Sequence, residues 1–283
     1  MHNNILKKLE DNSNLIDTAL DGYFPSENGQ YTRLVEAQRY AILGGGKRIR
    51  AFLLMQVCRL LGGVVEAALP YACALEMIHT SSLIHDDMPC MDNDDYRRGK
   101  LATHKAYGET LALLTGDALM VKAFEVAIDN PSLSLADNAK AVKVIAQATG
   151  DCGMLEGQTI DTANENGKLT FQELLRLHEL KTGRLVVAAA KLGCIAAKID
   201  ESDSRFNDAI KYAENIGLAF QIIDDILDYK DGQHEENSFV SFLGIEEAQK
   251  YADRLTASGI EAIKSFDDGI LDELALYLTV RKN

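Results

Sequence analysis

Apolar residues recur along most of the chain at three- and four-residue intervals rather than in alternation, which predicts helices and no extended sheet. One stretch, TFQELLRLHELKTGRLVVAAAKLG, shows how. Thr170 stands where an N-cap belongs and Glu173 at the capping-box spacing. Phe171, Leu174, Leu175, Leu185, Val186 and Ala189 then fall along one side. Further helices are predicted over about 33–43, 48–61, 68–87, 109–128, 135–149, 205–228, 245–266 and 270–280. Gly44-Gly45-Gly46, Gly62-Gly63, Asn130-Pro131 and Asn164 to Gly167 break the pattern. No Ser/Pro-rich linker and no fixed repeat appears. Residues 1–283 are therefore expected to form a single all-α domain.

Composition narrows the class. With 47% apolar and 25% charged residues the chain can bury a sizeable core. Its 29 bases against 43 acids give a net charge of −14, which argues against nucleic acid and against an anionic membrane surface as general partners. No apolar run approaches a membrane span, since Lys191 interrupts even LVVAAAKLGCIAA; no stable membrane insertion is expected. The five cysteines lack C-x-x-C spacing and read as reduced thiols of a cytoplasmic protein, not a disulfide framework or a zinc site. The N-terminus lacks the apolar stretch of a signal peptide.

Charge is unevenly placed. SLIHDDMPCMDNDDYRRGK, residues 82–100, holds Asp86, Asp87, Asp92, Asp94 and Asp95, followed by Arg97, Arg98 and Lys100. Pro89 limits the preceding helix, so Asp86 and Asp87 fall at a helix C-terminus, the negative end of the macrodipole. Taken alone, this block reads equally as a solvated acidic loop or as carboxylates that await a cation. A second block, AFQIIDDILDYKDG, places Asp224, Asp225 and Asp228 among Ile222, Ile223, Ile226 and Leu227, again near a helix end. Carboxylates set in a core-like helix need partners. Two such clusters read as facing walls of a divalent-cation site, and their monodentate carboxylates suit Mg²⁺. A diphosphate bridging such ions would leave oxygens for the guanidinium pair Arg97-Arg98. LGGGKRIRAF, residues 43–52, adds Lys47, Arg48 and Arg50 at a helix start, a favourable place for an anion.

Together GGGKRIR, EMIHTSSLIHDDMPCMDNDDYRRGK, GDALM, HELKTGRL and FQIIDDILD resemble, in this order, the trans-isoprenyl diphosphate synthases, and more closely the bacterial farnesyl/geranylgeranyl diphosphate synthase group. The resemblance spans roughly residues 30–280. It implies a helical bundle around a deep central cavity, usually a homodimer, that joins isopentenyl diphosphate to an allylic diphosphate with three Mg²⁺ ions. Carried over by position, Asp86 and Asp92, with Asp87 beside them, would be metal ligands of the first wall. Asp224, supported by Asp225 and Asp228, would serve the second. Arg97 would hold the allylic diphosphate; Arg98, Lys47, Arg50 and His79 would hold isopentenyl diphosphate. Lys181, Thr182 and Gln221 would contact the allylic diphosphate or the developing cation. His79 standing alone would read as a hydrogen-bonded core histidine; its EMIHT context assigns it to the ligand. No side-chain base is evident, and in this family released diphosphate can take the proton.

Some positions depart from the family pattern. Ala51 replaces a common proline, Leu101-Ala102 replaces Pro-Thr, and YKDGQHEENSFVSFLG is shorter than its counterparts and holds a single lysine, Lys230. Closure over the diphosphate is the property this puts in question. A terpene cyclase-like enzyme and a silent partner subunit are the alternatives. The first would lack the clamp of Lys47, Arg50 and Arg98, and the second would have lost one aspartate motif. For product length the resemblance points to the level of Ser81, five residues before Asp86, with Ser82 beside it. A serine leaves the cavity open there, which leans toward twenty carbons, and Phe124 and Tyr107 are candidates for a floor from another helix. Farnesyl diphosphate is the expected product and geranylgeranyl diphosphate the alternative.

Overall fold

The computed structural model describes residues 2–26, 29–164, 167–232 and 235–279. In chain order the elements are α1 (His2–Gly22), α2 (Arg33–Ile42), α3 (Ile49–Leu60), α4 (Val65–Asp86), β1 (Tyr96–Arg97), β2 (Lys100–Leu101), α5 (Thr103–Tyr107), α6 (Glu109–Ile128), α7 (Leu135–Thr149) and α8 (Met154–Ala163). They continue with α9 (Phe171–His178), a π turn (Glu179–Gly183), α10 (Arg184–Ala196), α11 (Ser204–Lys230), α12 (Phe239–Leu243), α13 (Ile245–Ile263) and α14 (Ile270–Thr279). The fold is all-α, as expected, apart from one hairpin. In that hairpin Arg98 and Gly99 both take positive φ (53° and 75°), the backbone demanded by a two-residue type I′ turn.

Two apolar clusters organise the helices. The larger surrounds α4, whose residues are apolar on every side and almost all buried between Ala67 and Ile84, with α3, α6 and α10 packed about it. The smaller lies between α9, the second half of α11, α12 and α13. Pro70 sits inside α4 and cannot donate to the Glu66 carbonyl; the Ser132 hydroxyl donates to that oxygen instead, at 3.1 Å. Asn130 donates to the next carbonyl, Ala67, at 2.9 Å, so the connection between α6 and α7 repairs the proline's gap.

Beyond the hairpin and the short helices α5 and α12, which the apolar pattern does not predict, three elements differ from the reading of the sequence. α1 was not foreseen: Ile5, Leu9, Ile16 and Leu20 form a buried stripe, interrupted in sequence by Asp11-Asn12-Ser13-Asn14. It is fixed by Arg48, which is buried and pairs with Asp17 of α1 at 2.7 Å and Glu76 of α4 at 3.2 Å. α8 was likewise unassigned. The helix predicted from Thr170 does begin with the Thr170–Glu173 capping box, but the π turn divides it into α9 and α10. Among the described residues no helix is long and apolar enough to cross a membrane, and all five cysteines are free.

Candidate active site

α4 ends at Asp86 with Asp87 as its C-cap, where Pro89 was expected to stop it. The chain then folds back: Met91 N–H donates to the Met88 carbonyl and Asp92 N–H to the Asp86 carbonyl, both at 2.9 Å. Burial raises the Asp86 carboxyl to about 6, with Lys181 opposing and Asp92 adding repulsion. Burial also raises Asp92. Asp87 has a different environment. It is buried and accepts hydrogen bonds from Arg97 Nε at 2.8 Å and from Arg97 Nη2. Arg97 reaches Asp94 as well, at 3.0 Å, so Asp87 anchors the β1–β2 hairpin to the end of α4.

Below Asp86 opens a cavity of about 230 Å³. Its polar mouth brings together five residues singled out in the sequence: Arg50, His79, Asp86, Lys181 and Thr182. The rest of its lining includes an apolar wall of Met91, Met120, Met154, Leu155 and Leu185. Ser82 faces this cavity. Ser81 does not line it: the residue is fully buried and its hydroxyl donates to the Ile78 carbonyl at 3.0 Å. Phe124 and Tyr107 are also absent from the lining. Arg50 and Thr182 are shared with a second, apolar cavity of about 100 Å³ that reaches Phe220, Gly217 and Leu278.

Lys181 and Thr182 reach the mouth because they lie in the π turn, whose extra residue widens the backbone. A Cβ at Gly157 would sit 2.3 Å from Lys181 N, so α8 meets this turn backbone to backbone. One turn further along α8, Asp161 pairs with Lys181 Nζ. Gln158 and Asp161 escaped the sequence reading; the signal was their spacing on a short helix, hidden by glycines on one side and a Thr-Ala-Asn end on the other.

The basic residues form a second layer. Arg98 donates to the Gly45 carbonyl, and a Cβ at Gly46 (φ +131°) would stand 2.8 Å from Arg98 Cζ. Only glycine lets the guanidinium approach there. Arg50 Nε is buried with no hydrogen-bond partner among the described residues, which suits a residue that awaits an anion. Burial, followed by Arg50, Arg98, Arg48 and Arg97, holds the His79 imidazole well below its usual range, so it is neutral. Lys47 is exposed and its ammonium lies 5.4 Å from the Tyr277 ring centroid, outside the cavity lining.

The second acidic motif closes α11, as expected. Asp225 Oδ2 accepts the Phe239 N–H at 2.6 Å, and burial raises the group to about 7. Gln221 Nε2 meets His178 Nδ1 at 3.4 Å, and Gln221 does not line either cavity. Among the described residues no three of these acids meet in a ready-made metal cluster. Nevertheless Asp86 and Asp92 fit a divalent cation: desolvated carboxylates at the end of α4, with elevated proton affinity, are stabilised by a hard cation that takes oxygen ligands.

Residues 31–238 match the polyprenyl synthetase family. The chain is 41% identical to the geranylgeranyl diphosphate synthase of Cyanophora paradoxa, over 99% of this chain and 97% of that protein. It is 38% identical to the farnesyl diphosphate synthase of Micrococcus luteus, over 94% and 93%. A crystal structure of the FPP/GFPP synthase of Zymomonas mobilis superposes with a TM-score of 0.91 at 37% identity, covering 99% of this chain and all of that one. An all-α fold of the isoprenoid synthase type and a mouth lined by acid and base thus define a short-chain trans-prenyltransferase. The chain belongs to the polyprenyl synthetase family.

Proposed function

We propose that this enzyme condenses isopentenyl diphosphate with dimethylallyl or geranyl diphosphate in a Mg²⁺-dependent reaction, with farnesyl diphosphate as its main product. The observation that carries this reading is the single cavity in which Arg50, His79, Asp86, Lys181 and Thr182 ring a polar mouth above an apolar wall. Asp86, Asp92, Asp224 and Asp228 would hold the metal. When bound, Mg²⁺ would supply Lewis acidity toward the leaving diphosphate. Arg97, Arg98 and Arg50 offer charge-assisted hydrogen bonds to diphosphate oxygens. Neutral His79 can donate a hydrogen bond without adding a further positive charge to that crowded arginine layer. Thr182 presents a hydroxyl at the reacting end, and the apolar wall below excludes water that would otherwise capture an allylic cation.

The methionine-lined wall supports a fifteen-carbon product. A twenty-carbon product is the second reading, favoured by the small Ser82 on the same wall and by the adaptability of methionine side chains. Incubation with labelled isopentenyl diphosphate plus dimethylallyl, geranyl or farnesyl diphosphate tests the reaction. No incorporation with any of the three overturns it.

Leu113, Leu114 and Val121 stand exposed along one side of α6, which supports the homodimer expected from the resemblance. Light scattering at a mass near 31.1 kDa rather than twice that value would overturn it. Free cysteines, three of them buried, support a reducing, cytoplasmic setting.

A further inference from the structure

The second acidic motif carries three carboxylates, and the geometry assigns them unequal work. We propose that Asp225 is a positioning residue: its carboxylate seats α12 and, together with His178, fixes the segment that follows the motif. This deepens the proposed reaction and rests on that reading.

Successive residues of an α-helix are turned by about 100°, so side chains four apart share a face. Asp224 and Asp228 therefore share a face with Phe220, which lines the apolar cavity beside Arg50 and Thr182. Asp225 shares its face with Gln221, and that face points elsewhere. Asp225 Oδ2 accepts the N–H of Phe239, the first residue of α12, at 2.6 Å. Gln221 Nε2 approaches His178 Nδ1 at 3.4 Å; an amide nitrogen can only donate, so the imidazole accepts there. The His178 ring in turn stacks on Phe239, with centroids 5.1 Å apart and planes 29° apart. Phe239 is fully buried and meets Phe171 edge-on at 6.1 Å. Gln221 and Asp225 thus act through one residue, Phe239, the first by its ring and the second by its backbone.

The same segment is tied from its other side. Asn237 Nδ2 donates to the Gly167 carbonyl at 2.9 Å, and its Oδ1 accepts the Leu169 N–H at 2.9 Å. Ser238 completes a capping box with Ser241. Residues 233–234 of the shortened stretch lie outside the described residues; from Asn237 onward the segment is a strap fastened to α9, α11 and the turn before α9. Asp225 Oδ2 is held by the Phe239 N–H on a side of α11 turned about 100° from Asp224, and swinging the group round to Asp224's side would leave that buried donor unpaired. Asp225 thereby serves the strap rather than the metal.

The cap and ligand roles separate cleanly by substitution. Asn and Ser keep an acceptor oxygen for the Phe239 N–H but carry no charge; Ala keeps neither. Asp225→Asn, Asp225→Ser, Asp225→Ala and Asp224→Asn are compared by limited trypsin cleavage after Lys230, by thermal melting, and by Mn²⁺ binding in the presence of inorganic diphosphate. The expected result is cleavage accelerated about tenfold in Asp225→Ala and restored to the parent rate by Asn or Ser, with Mn²⁺ affinity held in Asp225→Asn and lost in Asp224→Asn. Mn²⁺ binding weakened as much by Asp225→Asn as by Asp224→Asn would overturn the assignment. So would unchanged cleavage and melting in Asp225→Ala. Should Asp224→Asn bind Mn²⁺ normally, the cation-site reading fails instead, and the cleavage and melting comparison at Asp225 still decides the cap.

Discussion

The imidazole of His85 lies so close over Gly116 that a methyl group on that glycine would stand 2.2 Å from His85 Nε2. This contact joins α4 to α6 one residue before Asp86. His85 cannot swing aside without giving up Leu113 O at 3.3 Å and Asp117 at 3.5 Å. Gly116→Ala should cost about 1–3 kcal/mol, the usual penalty of forcing extra volume into a packed contact. Thermal melts would register a fall of several degrees. In a His85→Ala background the same substitution should be nearly neutral; equal penalties in both backgrounds would show that the two residues are not coupled.

Asp86 sets a pH dependence. Its carboxyl is raised from 3.8 to about 6 in the folded protein, chiefly by burial, so the folded state holds the proton more tightly than the unfolded chain. Without divalent cation, stability is therefore lost as pH rises from about 4 to about 6, and the full penalty stands above that. Asp86→Asn should melt higher than the parent near about pH 7.5, by about 1–3 kcal/mol, and level with it near about pH 3. His178 works in the opposite direction, since burial lowers it to about 4, but it is common to both proteins and cancels in the difference. An Asp86→Asn protein less stable than the parent near about pH 7.5 would refute the assignment.

How much of this was legible beforehand follows from where each contact comes from. The Thr170–Glu173 cap, the stop at Pro89 and the two acidic helix ends are local, set within a few residues, and all three stand in the structure. α1 was hidden because Asn12 occupies a buried position in its apolar stripe. The π turn was invisible because an extra residue in a helix leaves no mark on composition. Asp225 and Gln221 read as chemistry in the sequence, whereas their partners Phe239 and His178 are distant in the chain and only the fold brings them into reach. Ser82 rather than Ser81 lines the cavity for a similar reason: counting back from Asp86 gives a level along the helix, but the helix face decides which of the two serines sees the cavity.

Arg98 depends on Gly46. A Cβ there would meet Arg98 Cζ at 2.8 Å, at a φ of +131° that side chains avoid. Gly46→Ala should thus reproduce Arg98→Ala in part, raising the KM for isopentenyl diphosphate. Loss of one charge-assisted contact is worth about 1.5–3 kcal/mol, or about ten- to hundredfold. Arg97→Ala, which frees Asp87, should act chiefly on the allylic substrate. Separate Michaelis constants decide it: equal effects of Arg97→Ala and Arg98→Ala on both substrates would remove the distinction.

Product length should respond to the apolar wall. Met120→Ala or Met154→Ala enlarges the cavity and should shift products toward longer chains, while Ser82→Phe should shorten them. Ser81→Phe, by contrast, forces a ring into a fully buried position and should mainly lower the melting temperature. Chromatography of dephosphorylated products gives the distribution. An unchanged pattern in both methionine variants would place the floor elsewhere.

At the π turn, residue count matters more than residue identity. Five residues from Glu179 to Gly183 span what a regular helix would cover with fewer, and Gly157 presses on the resulting bulge. Removing Glu179 or Leu180 would let α9 and α10 merge into one continuous helix, rotating one against the other by about 100°. Lys181 and Thr182 would then leave the mouth although neither had been altered. Evolution can exchange side chains along this stretch, but an insertion or deletion there changes which residues face the substrate.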